Sequence, residues 1–166
     1  MARYLIGGDS RVVVTARSSI HDTVTRWTAL SGTIDADAAD LTQGVAAEVV
    51  VDMTRHDAGD FLRNRKLRND LEVYRFPEAR FRLERLRDVA ARGPGFAAVA
   101  EGVLAWHGRE VAVSAAGEGA FDEAGLRATA RFELDVRALG VEPPRFLMFK
   151  VEEVVAVEVV LVARLA

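Results

Sequence analysis

Apolar and charged residues alternate along several segments of this sequence, and the alternation limits the fold more than any other feature. Between residues 131 and 137, Phe132, Leu134 and Val136 occupy every second position, and the residues between them are charged. Such a period of two predicts a β-strand with one buried face. The same pattern is found in residues 45–53 and 79–84. Residues 154–165 are apolar on both faces apart from Glu158 and Arg164, which predicts a central strand.

Turn-forming residues separate the predicted strands. His107-Gly108 lies between the β-rich segments 96–106 and 109–116 and predicts a tight hairpin. Residues 35–37 and 93–95 are predicted to be loops. The chain then has eight or nine strands that are close enough to pair in sequence order, which indicates an all-β sandwich or barrel in a single domain spanning residues 1–166.

One segment does not alternate. In residues 57–69, Ala58, Phe61, Leu62 and Leu67 recur at near-helical spacing, so we predict one short helix packed over an end of the sheet structure. Pro77 prevents the helix from continuing and precedes the next strand.

The sequence offers little support for catalysis or metal binding. It has no cysteine, and its three histidines at 21, 56 and 107 do not follow a helix-borne zinc motif. Ser18-Ser19 and His21-Asp22 are not part of a G-x-S-x-G motif. We therefore expect that the protein is not an enzyme and binds neither a cofactor nor a metal. The net charge of −3 disfavours nucleic acid as a partner. The apolar run near the N-terminus is too short for a secretory signal, so a cytoplasmic location is expected.

The helix followed by RNRKLRNDLEVYRFPEARF resembles the YceI-like, polyisoprenoid-binding family. In that family a charged helix ends in a loop, and an aromatic-Pro pair then starts a strand that ends in Phe; here these residues are Phe76, Pro77 and Phe81. The resemblance continues in order along nearly the whole chain, through RYLIGGDSRVVV, ARSSIHD, GVLAWHGREVAV and FELDVRALGVEPPRFLMFKVEEVVAVEVVLVARL.

This resemblance implies an extended, lipocalin-like antiparallel β-barrel of about eight strands with a long apolar tunnel. The implied function is non-catalytic binding of an isoprenoid or fatty-acyl chain, as a carrier or a sensor. The free energy of methylene burial, set against the cost of association, leads us to expect a chain longer than about ten carbons. The small inward side chains of Val and Ala leave room for such a chain. The residues expected to contact it are Phe61, Leu62, Leu71, Phe81, Trp106, Phe132 and Leu134.

Residues 63–87 are basic, with nine cationic side chains and four acidic ones. Arg65, Arg68 and Arg75 are candidates to meet a lipid headgroup or an anionic membrane surface, where each nearby cation contributes about 1 kcal/mol. The alternative is a structural or interaction module with a filled lumen that uses this face on a partner protein. A homodimer is left open.

Overall fold

The computed structural model describes residues 1–142, 145–146, 149–150 and 152–166, and only the backbone of 145–146 and 149–150. The remaining residues belong to the closing segment of the sequence resemblance, and that part of it lies outside the described residues. The described strands are β1 Ala2–Ile6, β2 Arg11–Ala16, β3 Thr23–Trp27, β4 Leu30–Ala36, β5 Ala46–Asp52, β6 His56–Asp57, β7 Glu78–Arg92, β8 Gly95–Trp106, β9 Arg109–Phe121, β10 Gly125–Asp135, β11 Arg145–Phe146, β12 Phe149–Lys150 and β13 Val154–Leu165. Helix α1 spans Phe61–Asp70, and a 3₁₀ turn spans Val136–Leu139.

The main sheet closes into an antiparallel barrel with eight strand positions, which confirms the predicted all-β fold and its short helix. Three of these positions each contain two consecutive strands: β1 with β2, β3 with β4, and β5 with β6. Neighbours pair in sequence order, and β13 pairs with β10 on one side and with both β1 and β2 on the other. Because the sheet closes on itself, each of the eight positions has a paired neighbour on both sides over at least part of its length.

Ser10 bridges the break between β1 and β2. It is buried, and its hydroxyl accepts a hydrogen bond from the Val162 backbone N–H at 2.8 Å. The same hydroxyl lies 2.9 Å from the Gly7 carbonyl oxygen and 3.1 Å from the Val162 carbonyl oxygen. These two oxygens share its one hydrogen as acceptors. Buried backbone groups need partners, and this side chain supplies them where the ladder is interrupted.

The predicted hairpin at His107-Gly108 is present. Both residues have positive φ, 57° and 73°, which is the pattern of a type I′ turn. Two boundary predictions were wrong. Asp35 and Ala36 are the last residues of β4 and not part of a loop. Residues 136–137 belong to the 3₁₀ turn and do not extend β10.

Helix α1 begins after Asp60, whose carboxylate accepts a hydrogen bond from the Arg63 N–H at 2.8 Å. The predicted short helix is present, but its apolar residues are not all packed against the barrel. Phe61 and Leu62 are 73% and 68% exposed, and of the helical residues expected to pack only Leu67 contacts the core beneath. Ala58 is buried but precedes the helix.

The barrel has two unlike ends. The loop 37–45 and the hairpin tips 93–94 and 122–124 share one end with the chain termini, because all of them follow the same alternate strands. The loop 17–22, helix α1 and the 107–108 turn share the other. Each end has its own cluster of buried apolar side chains. No helix among the described residues is long and apolar enough to cross a membrane.

Candidate functional site

An apolar cavity of about 410 Å³ lies inside the barrel. Because successive residues of a strand point to opposite faces, most of the cavity wall consists of every second residue of the surrounding strands. Phe81 and Leu83 face inward from β7, Phe132 and Leu134 from β10, and Val157 from β13. The polar residues between them point outward.

The interior of the barrel is not filled by side chains, because small residues are neighbours across three adjacent strands. Ala98 on β8 is directly opposite Gly117 on β9, and Gly117 is directly opposite Ala130 on β10. These three inward positions contribute almost no side-chain volume, so this part of the wall leaves space that larger residues would fill. The lumen is therefore a cavity and not a packed core.

Five of the residues predicted to contact a ligand line this cavity: Leu71, Phe81, Trp106, Phe132 and Leu134. The Trp106 indole N–H donates to the Phe76 carbonyl at 2.9 Å, so the ring is fixed beside the turn that follows it.

The other two predicted contacts, Phe61 and Leu62, are not part of the cavity wall. They lie on the exposed side of α1, where the helical spacing of the sequence suggested burial. Ile20, on the loop between β2 and β3, is 58% exposed at the same end of the barrel.

At the end near α1 the cavity wall includes polar residues that reach solvent; these residues, which we call the mouth, are Ser18, His21, Arg63, Lys66 and Glu152. An Arg63 guanidinium nitrogen lies 3.2 Å from His21 Nε2, so the loop 17–22 and α1 meet across the mouth. The sequence did not indicate that these five residues meet, because their proximity depends on the tertiary fold.

Aromatic rings occupy the lumen at the opposite end. The Phe96 and Phe121 ring centroids are 5.8 Å apart, and Tyr4 lies 5.4 Å from Phe121. All three face inward, and tilted pairs at such distances are favourable. Phe96 and Phe121 also line the cavity, so these rings form its far wall.

The predicted headgroup residues differ in their surroundings. Arg65 is exposed and Arg68 half-buried, and neither forms an ion pair with a described residue. Arg75 lies 3.6 Å from a Glu72 carboxylate oxygen and 5.1 Å from the centre of the Phe76 ring. Arg65 and Arg68 are therefore more available to an external anion than Arg75.

Much of the remaining basic stretch is neutralised on the outer face of the barrel. Arg80 is paired with Glu48, and both Arg85 and Arg87 are paired with Glu101. Hydrogen bonds from Arg85, and to a smaller extent from Arg87, hold the pKa of Glu101 below its ordinary value. These groups face solvent, away from the cavity.

The residues considered for catalysis or metal binding have local structural contacts. The Ser18 hydroxyl donates to the His21 carbonyl at 2.5 Å within one turn. His56 Nε2 lies 3.1 Å from the Asn64 carbonyl, and His107 Nε2 lies 3.1 Å from a Glu72 carboxylate oxygen. The part of the chain that the structure describes contains no group of three or more residues suited to hold a metal ion.

A closed eight-stranded antiparallel barrel with a central apolar cavity defines the lipocalin-like class of protein. Within that class, this chain belongs to the YceI-like family, because the family model of the YceI-like domain matches residues 7–163. No curated protein matches the chain.

Solved structures share this fold at low sequence identity. Burkholderia cenocepacia BcnA has a TM-score of 0.76 at 19% identity, covering 92% of this chain and 94% of its own. A polyisoprenoid binding domain from Saccharophagus degradans, implicated in plant cell wall breakdown, has a TM-score of 0.75 at 15% identity, covering 100% and 99%. The YCEI protein of Campylobacter jejuni has a TM-score of 0.66 at 12% identity, covering 86% and 84%.

Proposed function

We propose that this protein binds a long isoprenoid or fatty-acyl chain in its lumen, as a carrier or a sensor, and catalyses no reaction on it. The observation that carries this proposal is the apolar cavity of about 410 Å³. Pockets for small molecules measure about 300–1,000 Å³, so the cavity has a suitable size. The Saccharophagus degradans protein of the same fold is described as a polyisoprenoid binding domain, which supports the class of ligand.

Simple energetics favour a long chain. Burial of one methylene group contributes about 0.8 kcal/mol, and association costs roughly 4–15 kcal/mol of lost freedom and desolvation. Ten methylene groups contribute about 8 kcal/mol, which exceeds only the lower part of that range of costs. The ligand must therefore be longer than about ten carbons to bind usefully in a wall of this kind.

The cavity also weighs against the alternative of an interaction module with a filled lumen. The row of Ala98, Gly117 and Ala130 leaves the lumen unfilled, and such space is costly for a barrel whose role is only structural. The lumen is enclosed by one chain, so the proposed binding does not require a homodimer.

We further propose that the protein exchanges its ligand at an anionic membrane surface through the mouth. Ile20, Phe61 and Leu62 are exposed at this end of the barrel, where apolar side chains can enter the interfacial region of a bilayer. Arg65 and Arg68 lie on the same helix and would be attracted to anionic lipid headgroups.

Mass spectrometry of an organic extract tests the proposed function. Protein purified from cells without detergent is expected to release a lipid with a chain longer than about ten carbons. The same preparation, stripped of lipid and refolded, is expected to take the compound up again. A clean extract together with a stripped protein that binds no long-chain compound would contradict lipid binding and would leave the interaction module as the better explanation.

A further inference from the structure

A polar side chain lies deep in the apolar wall of the lumen, beyond the mouth. Thr25 faces the cavity from β3 and is only 5% exposed. Its cross-strand neighbour on β2 is Val14, and the next inward residue of β3 is Trp27. The Thr25 hydroxyl forms no hydrogen bond with any residue that the structure describes, and it is not among the fully enclosed polar atoms that lack a partner. The hydroxyl is therefore accessible from the cavity, where it can bond a polar group that enters.

Thr25 is the innermost of three polar residues that line one wall. His21 lies in the mouth, and Thr23 and Thr25 follow at alternate positions and line the same cavity. Each step of two residues along a strand advances by about 6–7 Å. A polar group on a ligand would therefore meet a hydrogen-bonding side chain both at the mouth and again within the lumen.

The cations of the mouth are already paired. Arg63 lies 3.6 Å from an Asp60 carboxylate oxygen, and Lys66 lies 3.0 Å from an Asp70 carboxylate oxygen. An anionic headgroup would have to compete with these acids for both cations. No cationic side chain among the described residues lines the cavity at the depth of Thr25, so an ionised group there would be desolvated without compensation.

We infer that the ligand is a neutral amphiphile whose hydroxyl or carbonyl oxygen hydrogen-bonds to Thr25, with its hydrocarbon chain in the rest of the lumen. A threonine hydroxyl both donates and accepts a hydrogen bond, so it suits an alcohol or a carbonyl. This inference rests on the proposed function and narrows the class of lipid that the lumen takes. Thr25 is a specificity-determining residue in this arrangement.

Three isoprenoids of equal chain length test the inference: farnesol, farnesoate and the hydrocarbon farnesene. Each is titrated against the fluorescent probe phenylnaphthylamine bound in the lumen, in wild-type protein and in Thr25→Val. Valine has nearly the shape of threonine, so the variant keeps the wall and removes only the hydroxyl. Because a neutral hydrogen bond has a modest net value, we expect Thr25→Val to bind farnesol about 3- to 10-fold more weakly and to bind farnesene no more weakly.

Thr15→Val is the matched control, since Thr15 lies on the neighbouring strand and is not part of the cavity wall. It should leave the binding of all three compounds unchanged. Urea unfolding of both variants checks that the fold is retained. Wild-type protein that binds none of the three would overturn the proposed function itself. Binding that is retained in wild type, with Thr25→Val altering all three compounds equally or none, or with farnesoate the preferred compound, would overturn only the inference about Thr25.

Discussion

Gly102 has no side chain, and this leaves room for the Phe81 ring in the lumen wall. Gly102 on β8 faces inward beside Phe81, and a Cβ atom at this position would lie 2.6 Å from the Cζ atom of the Phe81 ring. The same Cβ would lie 2.3 Å from the Arg82 carbonyl oxygen, which belongs to the backbone of β7 and moves less readily. The close approach of β7 and β8 here therefore depends on glycine.

We expect Gly102→Ala to lower the free energy of unfolding by about 1–3 kcal/mol, because the added methyl group overpacks this contact. Gly7→Ala is the matched control, since nothing lies within 4 Å of a Cβ at Gly7. Urea unfolding of both variants measures the effect. A Gly102→Ala protein as stable as Gly7→Ala would show that the two strands are free to separate here.

Phe132 offers a test of how the wall sets ligand length. Its ring faces the cavity from β10, so Phe132→Leu removes ring volume from the lumen while the wall stays apolar. We expect a loss of stability of about 1 kcal/mol and a shift of binding preference towards longer chains. Competition binding with alcohols of increasing length measures that preference. Phe76→Leu is the control, because Phe76 is not part of the cavity wall and packs on His107 with ring centroids 4.1 Å apart. An identical preference in both variants would contradict the assignment of Phe132.

At the scale of elements, α1 is a short helix held at both ends. Asp60 caps its first turn. At its other end the Glu72 N–H donates to the Asn69 carbonyl at 3.2 Å and the Val73 N–H to the Arg68 carbonyl at 3.3 Å. Glu72 has a positive φ of 51°, so the helix ends in a Schellman motif without glycine. These contacts stabilise α1 over the mouth, since no residue of the helix itself is buried.

Removal of the N-terminal cap should loosen the mouth. Asp60→Ala leaves the Arg63 N–H without its side-chain partner, and such a loss costs about 0.5–2 kcal/mol. We expect faster hydrogen exchange in residues 61–70 and faster release of a lumen-bound probe, because Arg63 and Lys66 belong to both the helix and the mouth. Asp60→Asn retains a capping oxygen and should behave like wild type. Unchanged exchange in Asp60→Ala would mean that α1 is held mainly by its C-terminal end.

The strands were predictable because alternation is a local property of the chain, and their ends were not. Asp35 has a loop-forming sequence context, yet it remains in β4 because Arg3 on β1 binds its carboxylate with an Nε–Oδ1 distance of 2.8 Å. Hydrogen bonds from Arg3 also lower the pKa of Asp35. Conversely, Asp135 ends β10 because its carboxylate accepts a hydrogen bond from the Arg137 N–H at 3.0 Å and starts the 3₁₀ turn. The alternation of apolar and charged residues does not reveal which group bonds the carboxylate of Asp35 or that of Asp135.

For the whole molecule, the lumen wall was more predictable than the mouth. The inward direction of Phe81 and Phe132 follows from alternation on their own strands. The mouth requires His21 and Arg63, 42 residues apart, to meet at 3.2 Å. The size of the cavity likewise depends on Ala98, Gly117 and Ala130 being in register, which is a property of the closed sheet.

If the protein exchanges its ligand at a membrane, as we propose, the two ends of the barrel predict which end faces the bilayer. Aromatic rings of Tyr4, Phe96 and Phe121 occupy the lumen at the end with the hairpin tips, so a chain enters more readily through the mouth. Exposed Phe61 and Leu62 lie beside that mouth on α1. An orientation with α1 towards a bilayer places the opening of the cavity where lipid chains are available.

Vesicle binding tests this orientation. Arg65→Gln combined with Arg68→Gln removes two cations that each contribute about 1 kcal/mol near an anionic surface, so we expect at least a tenfold weaker affinity for anionic vesicles. Added salt should weaken wild-type binding in the same direction, because charges are screened beyond about 8 Å at physiological ionic strength. Arg82→Gln removes an exposed cation from the outer face of β7 and serves as the control.

Phe61→Ser combined with Leu62→Ser should weaken binding at every salt concentration, because the contribution of these two side chains is apolar. Co-sedimentation with anionic and with neutral vesicles measures all four proteins, and wild-type binding that is equal for the two kinds of vesicle, or absent from both, would contradict an anionic membrane as the partner.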